Sequence, residues 1–167
     1  MKFRDKLDLI VTKNNSLLCI GLDTEQEKIA QTLQESSPKG IFEFNKWVID
    51  QTADLVCAYK PNIAFYEAEG IDGLSELKKT INYLKKNYTR IPIVLDAKRA
   101  DIPNTAKMYA KSAFDFWDAD AVTVYPHLGL DAVKPFLEYK DHLTILLLKT
   151  SNPDSGTFQN MKIGKSL

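Results

Sequence analysis

Short apolar runs alternate along this chain with longer stretches of helical periodicity. The runs are Leu17 to Leu22, Cys57 to Tyr59, Ile93 to Leu95, Ala121 to Tyr125 and Thr144 to Leu148. Their near-continuous apolar character predicts parallel strands buried on both faces. Between them, Ile41, Phe44, Val48 and Leu55 share one helical face, and Leu74, Leu77, Ile81 and Leu84 share another. The opposite faces are charged, as in KKTINYLKKN, so these helices are expected to cover a sheet on one side and meet water on the other. A third helix is expected to start at Pro103, a favoured first-turn residue, and to run through Met108, Ala110 and Phe114 to Trp117. The rhythm predicts repeated βα units in one α/β domain over residues 1–167, with no linker or low-complexity tract.

Five such units suit either a five-stranded doubly wound sheet or part of a (β/α)8 (TIM) barrel. A complete barrel takes about 250 residues. After the fifth run the sequence reads SNPDSGTFQNMKIGKSL, with no sixth strand, so the expected content is strands 1 to 5, with strands 6 to 8 absent.

Polar residues gather where the predicted strands end. In Ile93-Val94-Leu95-Asp96-Ala97-Lys98-Arg99-Ala100-Asp101-Ile102, a period of two places Asp96 and Lys98 on one face at the end of the third strand, with Asp101 in the loop beyond. Cys57-Ala58-Tyr59-Lys60-Pro61-Asn62 puts Lys60 at the end of the second strand, where alone it reads more readily as a solvated loop residue. The first run ends in Gly21-Leu22-Asp23 and the fifth leads into Lys149-Thr150-Ser151-Asn152-Pro153. Four of five strands therefore present polar groups at the rim where parallel α/β proteins build their sites. An open sheet would spread these groups along a line at about 4.8 Å per strand, whereas a barrel turns them toward a common centre.

These motifs, in this order, resemble those of the orotidine 5′-phosphate decarboxylases, particularly the longer-chain subgroup, over their N-terminal five-eighths. Asp-x-Lys-x-x-Asp alone is shared with a wider suprafamily that includes magnesium-dependent sugar-phosphate decarboxylases. Its combination with Lys60-Pro61-Asn62 is the specific part of the match. Tyr125-Pro126-His127-Leu128-Gly129 departs from the family's common Asn-Pro-Tyr pattern at the fourth loop. The resemblance implies decarboxylation of orotidine 5′-monophosphate to uridine 5′-monophosphate in pyrimidine biosynthesis, without metal or organic cofactor. It implies an alternating charged array of Lys60, Asp96, Lys98 and Asp101, in which Lys98 stabilises a C6 carbanion and protonates it. Two unit charges about 4 Å apart attract by about 4 kcal/mol at an effective dielectric of 20, which favours a cationic lysine among carboxylates. Asp23 is implied on the ribose, Asn62 among the substrate-binding residues, Thr150 and Ser151 on the pyrimidine, and Ile102 and Thr105 beside Asp101. Asp101 is expected to enter the site of a second subunit, making a homodimer part of the active site. The family's phosphate grip is expected after strands seven and eight, so the 167-residue chain by itself is expected to be inactive or nearly so. Two other readings stay open: a magnesium-dependent sugar-phosphate decarboxylase, and a non-catalytic half-barrel that dimerises or binds a partner.

Charge and composition narrow the partner. Lysine plus arginine and aspartate plus glutamate number 22 each among 167 residues, so no general field attracts nucleic acid or an anionic membrane, and a small ligand is expected. No run approaches the about 20 apolar residues of a membrane span, and MKFRDKLDLI lacks a signal peptide's apolar stretch, so the expected location is cytoplasmic. Cys19 and Cys57 read as buried small hydrophobes in strands. His127 is expected in a structural or dimer-contact role and His142 in a solvated loop. Phe42, Phe44, Trp47, Phe114, Phe116 and Trp117 are expected to pack against the barrel wall rather than form a base-stacking surface.

Overall fold

The computed structural model describes residues 1–32 and 40–161. A helix not expected from the sequence, α1 (Phe3–Asn14), precedes β1 (Cys19–Gly21), α2 (Gln26–Thr32), α3 (Ile41–Thr52) and β2 (Ala58–Lys60). Then come α4 (Ile63–Ala68), α5 (Gly70–Asn87), β3 (Val94–Arg99) and α6 (Pro103–Lys111), which runs on as a π-helical turn over Ser112–Phe116. The chain continues through β4 (Ala121–Val124), a 3-10 turn at Pro126–Leu128, α7 (Leu130–Leu137) and β5 (Leu143–Leu146). A second 3-10 turn, Pro153–Ser155, leads to the short α8 (Gly156–Gln159), and residues 162–167 lie outside the described residues.

All pairing is parallel. β1 pairs with β2, and β3 with β4 and β4 with β5. Bridges Tyr59↔Ile93 and Asn62↔Asp96 join the two groups, so the spatial order follows the sequence order. A doubly wound sheet reverses direction at a switch point, and this arrangement does not. Five consecutive strands with helices outside are an arc of a (β/α)8 barrel.

Position in the arc sets burial. β4 is buried throughout and β3 through Ala97, while β1 and β5, at the ends, are partly or largely exposed. The expectation of strands covered on both faces therefore fails for these two. Cys19 is exposed for the same reason, whereas Cys57 is buried as expected. The face of α3 is also rotated by one residue from expectation: Ile41, Asn45 and Ile49 are buried, Phe44 and Val48 flank them, and Leu55 lies beyond the helix, exposed. Asparagine can occupy the centre because its amide is satisfied: Asn45 Oδ1 accepts from Thr24 Oγ1 (2.6 Å), and Nδ2 donates to Tyr66 Oη (2.9 Å) and Thr80 Oγ1 (3.2 Å). The face of α5 is as expected, with Leu77, Ile81 and Leu84 fully buried. Of the six aromatic residues expected at the wall, Phe114 and Trp117 are buried, Phe42 and Phe44 half-buried, and Trp47 and Phe116 exposed. Met108, on the third expected helical face, is also exposed. His142 is half-buried and stacks on Phe114 at 4.5 Å between ring centres, so it is a packing residue rather than a solvated one. Among the described residues no helix is long and apolar enough to cross a membrane.

Candidate active site

The C-terminal ends of β1, β2 and β3 bring four charges into a row. Asp23, just past β1, lies 3.9 Å from Lys60 Nζ at the end of β2. Lys60 Nζ donates to Asp96 Oδ2 on β3 at 3.1 Å, and Lys98 Nζ donates to Asp96 Oδ1 at 2.7 Å. Signs alternate along the row, and Asp96, only 6% exposed, is its buried centre. Burial alone would raise the Asp96 carboxyl. Hydrogen bonds from Lys98, Thr123 and Lys60, with the Lys60 charge, outweigh that and hold it below the ordinary carboxylate value.

Backbone pairing aligns these ends. Leu22 N–H donates to the Lys60 carbonyl at 3.2 Å and Asp96 N–H to the Pro61 carbonyl at 2.9 Å. Asn62 N–H donates to Asp23 Oδ1 at 3.2 Å, and the Asn62 side-chain oxygen caps α4 by accepting from Ala64 N–H at 3.1 Å. Beneath Asp23, the buried Tyr66 hydroxyl donates to the Leu22 carbonyl at 2.7 Å, tying the end of β1 to the Asn45 network.

Asp96 and Lys98 do share a side, but not through a regular strand. Leu95 pairs with Val122 and Arg99 with Val124, so three residues of β3 face only Thr123 of β4. Lys98 sits there at φ +47, a left-handed conformation that costs a non-glycine residue about 1–2 kcal/mol. Thr123 Oγ1 accepts from Ala97 N–H (3.0 Å) and Lys98 N–H (2.9 Å) and donates to Asp96 Oδ1 (2.8 Å). Sequence reading passed over Thr123 as one more β-branched strand residue. Its signal was being the one polar side chain in Ala121 to Tyr125 that belongs wholly to the strand.

The remaining candidates stand outside this row. The Asp101 carboxylate accepts from Ile102 N–H at 2.7 Å at the start of α6, with no cation in ion-pair range among the described residues. Ile102 is exposed and Thr105 half-buried in the first turn of α6. Thr150 is held beyond β5 by Gln159, whose Nε2 donates to its Oγ1 at 2.8 Å, and Ser151 is exposed. His127 is exposed and stacks on Tyr125 at 4.6 Å. Among the described residues no three His, Cys, Asp or Glu side chains converge as metal ligands, and both Asp96 oxygens already face ammonium groups.

The sequence profile of the orotidine 5′-phosphate decarboxylase / HUMPS family matches residues 16–166. The chain belongs to this family. A curated orotidine 5′-phosphate decarboxylase of Cellvibrio japonicus is 48% identical over 164 residues, which are 98% of this chain and 59% of that protein. One from Parabacteroides distasonis is 53% identical over 150 residues, 89% of this chain and 53% of that protein. Among solved structures, the OMP decarboxylase of Leishmania donovani superposes with TM-score 0.82 at 36% identity, covering 99% of this chain and 60% of that one. A putative orotidine-monophosphate-decarboxylase of Toxoplasma gondii gives TM-score 0.85 at 39% identity, over 95% and 52% respectively. The chain thus spans between half and two thirds of the length of these members of the orotidine 5′-phosphate decarboxylase / HUMPS family, and its fold is their barrel in part.

Proposed function

We propose that these residues are the charged half of an orotidine 5′-monophosphate decarboxylase site. The observation that carries the reading is the Lys60–Asp96–Lys98 contact at a barrel rim, in a chain of this family. In the proposed reaction the bond from C6 to the carboxylate breaks, carbon dioxide leaves, and the electron pair stays on C6. The pyrimidine offers that pair no delocalising sink, so stabilisation must come from a preorganised cation. The Lys98 ammonium, already fixed beside Asp96, opposes the developing charge, gives C6 a proton and is reprotonated from solvent. Asp96 holds Lys98 on one oxygen and stands near the departing carboxylate. Lys60 orients Asp96 and, with Asp23, the ribose, with Asn62 beside them. Thr150 and Ser151 serve the pyrimidine.

The partner reading belongs to the same proposal. Asp101, without a cation among the described residues, is suited to cross into a second copy together with Ile102 and Thr105. A homodimer then completes each site, in a cytoplasmic enzyme of pyrimidine biosynthesis. The substrate phosphate is assigned to strands seven and eight of the barrel, outside the five strands described above.

The test is the decay of orotidine 5′-monophosphate absorbance with the purified chain, with and without K98A and a chelator. Expected is a slow decay, well below that of a full-length relative, which K98A abolishes and the chelator leaves alone. Decay that survives K98A, or that the chelator stops, overturns this reading. Saturable binding of a nucleotide monophosphate with no Lys98-dependent decay would favour a non-catalytic half-barrel.

A further inference from the structure

We propose that Thr123 is a positioning residue that aims Lys98, through one hydroxyl that templates the irregular end of β3. The inference rests on the decarboxylase reading for its kinetic consequences and on geometry for the rest. Between Leu95↔Val122 and Arg99↔Val124, Asp96, Ala97 and Lys98 have only Thr123 opposite them, so an ordinary ladder cannot serve their amides. Asp96 N–H turns to β2 and bonds the Pro61 carbonyl. Ala97 N–H and Lys98 N–H both turn to β4, and Thr123 Oγ1 accepts both, at 3.0 and 2.9 Å.

A hydroxyl has one proton to donate and two lone pairs. Here all three are used, because Thr123 also donates to Asp96 Oδ1 at 2.8 Å. The same atom therefore fixes the peptide plane before Lys98 and the carboxylate that receives the Lys98 ammonium. Lys98 stays at φ +47 because those bonds oppose its return to negative φ. A lysine relaxed at Cα swings its amine over the length of a long side chain. Thr123 itself is 6% exposed, which leaves it little surface to offer a substrate.

Three chains decide the matter: the parent, T123V and T123S. Valine keeps the branched shape and removes the hydroxyl; serine keeps the hydroxyl. Misplacement on the scale of an ångström costs about 10²-fold in rate, so kcat of T123V should fall by about 10- to 100-fold with KM within about twofold. T123S should return kcat to within about threefold of the parent. Circular dichroism melting fixes the folded fraction, so unfolding is not mistaken for misaiming. Amide exchange at Ala97 and Lys98 should quicken in folded T123V, the Lys98 side-chain 15Nζ resonance should shift, and both should revert in T123S. Unchanged kcat in T123V, or an unmoved Lys98 resonance, overturns the positioning role. If the parent shows no Lys98-dependent decay, that outcome bears on the activity of this chain alone, and exchange and the Nζ resonance still decide the role of Thr123.

Discussion

Asp96 takes three hydrogen bonds while buried at the centre of a row of charges. Its pKa is lowered from 3.8, so the stability it contributes is fully present above that value and is lost as pH falls through the lower folded value. D96N should be less stable than the parent by about 1–3 kcal/mol at neutral pH, a figure discounted for the exposure of both lysines. In urea titrations the gap should close in acid, below the unfolded carboxylate range; a gap that stayed constant to the lowest pH would contradict the assignment. Asp96 and Lys98 were legible in the sequence because charges interrupt an apolar run there. Thr123 was not, because a β-branched residue is at home in any strand. Neither was Asn45, because a polar residue at the centre of a helix face contradicts the hydrophobic pattern unless its partners, on three other segments, are known.

Elements were legible where one face alone decides them, as in α5, and less so where long-range partners do. Helix α1 was missed because MKFRDKLDLI carries charges on both sides. Its Lys6 is buried and bonds both oxygens of Asp120, at 2.9 and 2.8 Å, and Asp120 also accepts from Ile93 N–H at 2.8 Å. Burial lowers the Lys6 amine despite the attraction of Asp120. D120A strands that amine and an amide at the floor of the arc and should cost about 3–5 kcal/mol in chemical denaturation. A loss within about 0.5 kcal/mol would show the pair to be dispensable. Gly73 makes a second element-level test. A Cβ there would overlap the Tyr66 carbonyl oxygen, where α5 crosses close over α4. G73A should lower stability by about 1–3 kcal/mol despite alanine's better helix propensity.

Over the whole molecule, the alternation of apolar runs and amphipathic stretches announced five βα units, but not how they are ordered. Barrel arc and doubly wound sheet share that alternation, and the unbroken pairing of β2 with β3 and β3 with β4 separated them. The arc also explains surfaces that no local pattern could foresee. Leu17 and Leu18 before β1, and Leu143, Leu146 and Leu148 in and after β5, are all exposed, beside strand edges unpaired among the described residues. Unpaired apolar edges favour association. Gel filtration of the chain should show concentration-dependent dimers or larger species, and a sharp monomer peak at every loading would count against it. The bond between Lys6 and Asp120 joins residues 114 apart. At ribosomal speeds of about 5–20 residues per second, the first helix emerges roughly 6 to 23 s before its anchor exists. Until then Lys6 has no Asp120 to meet, so the docking of α1 can be completed only after the chain through Asp120 has been made.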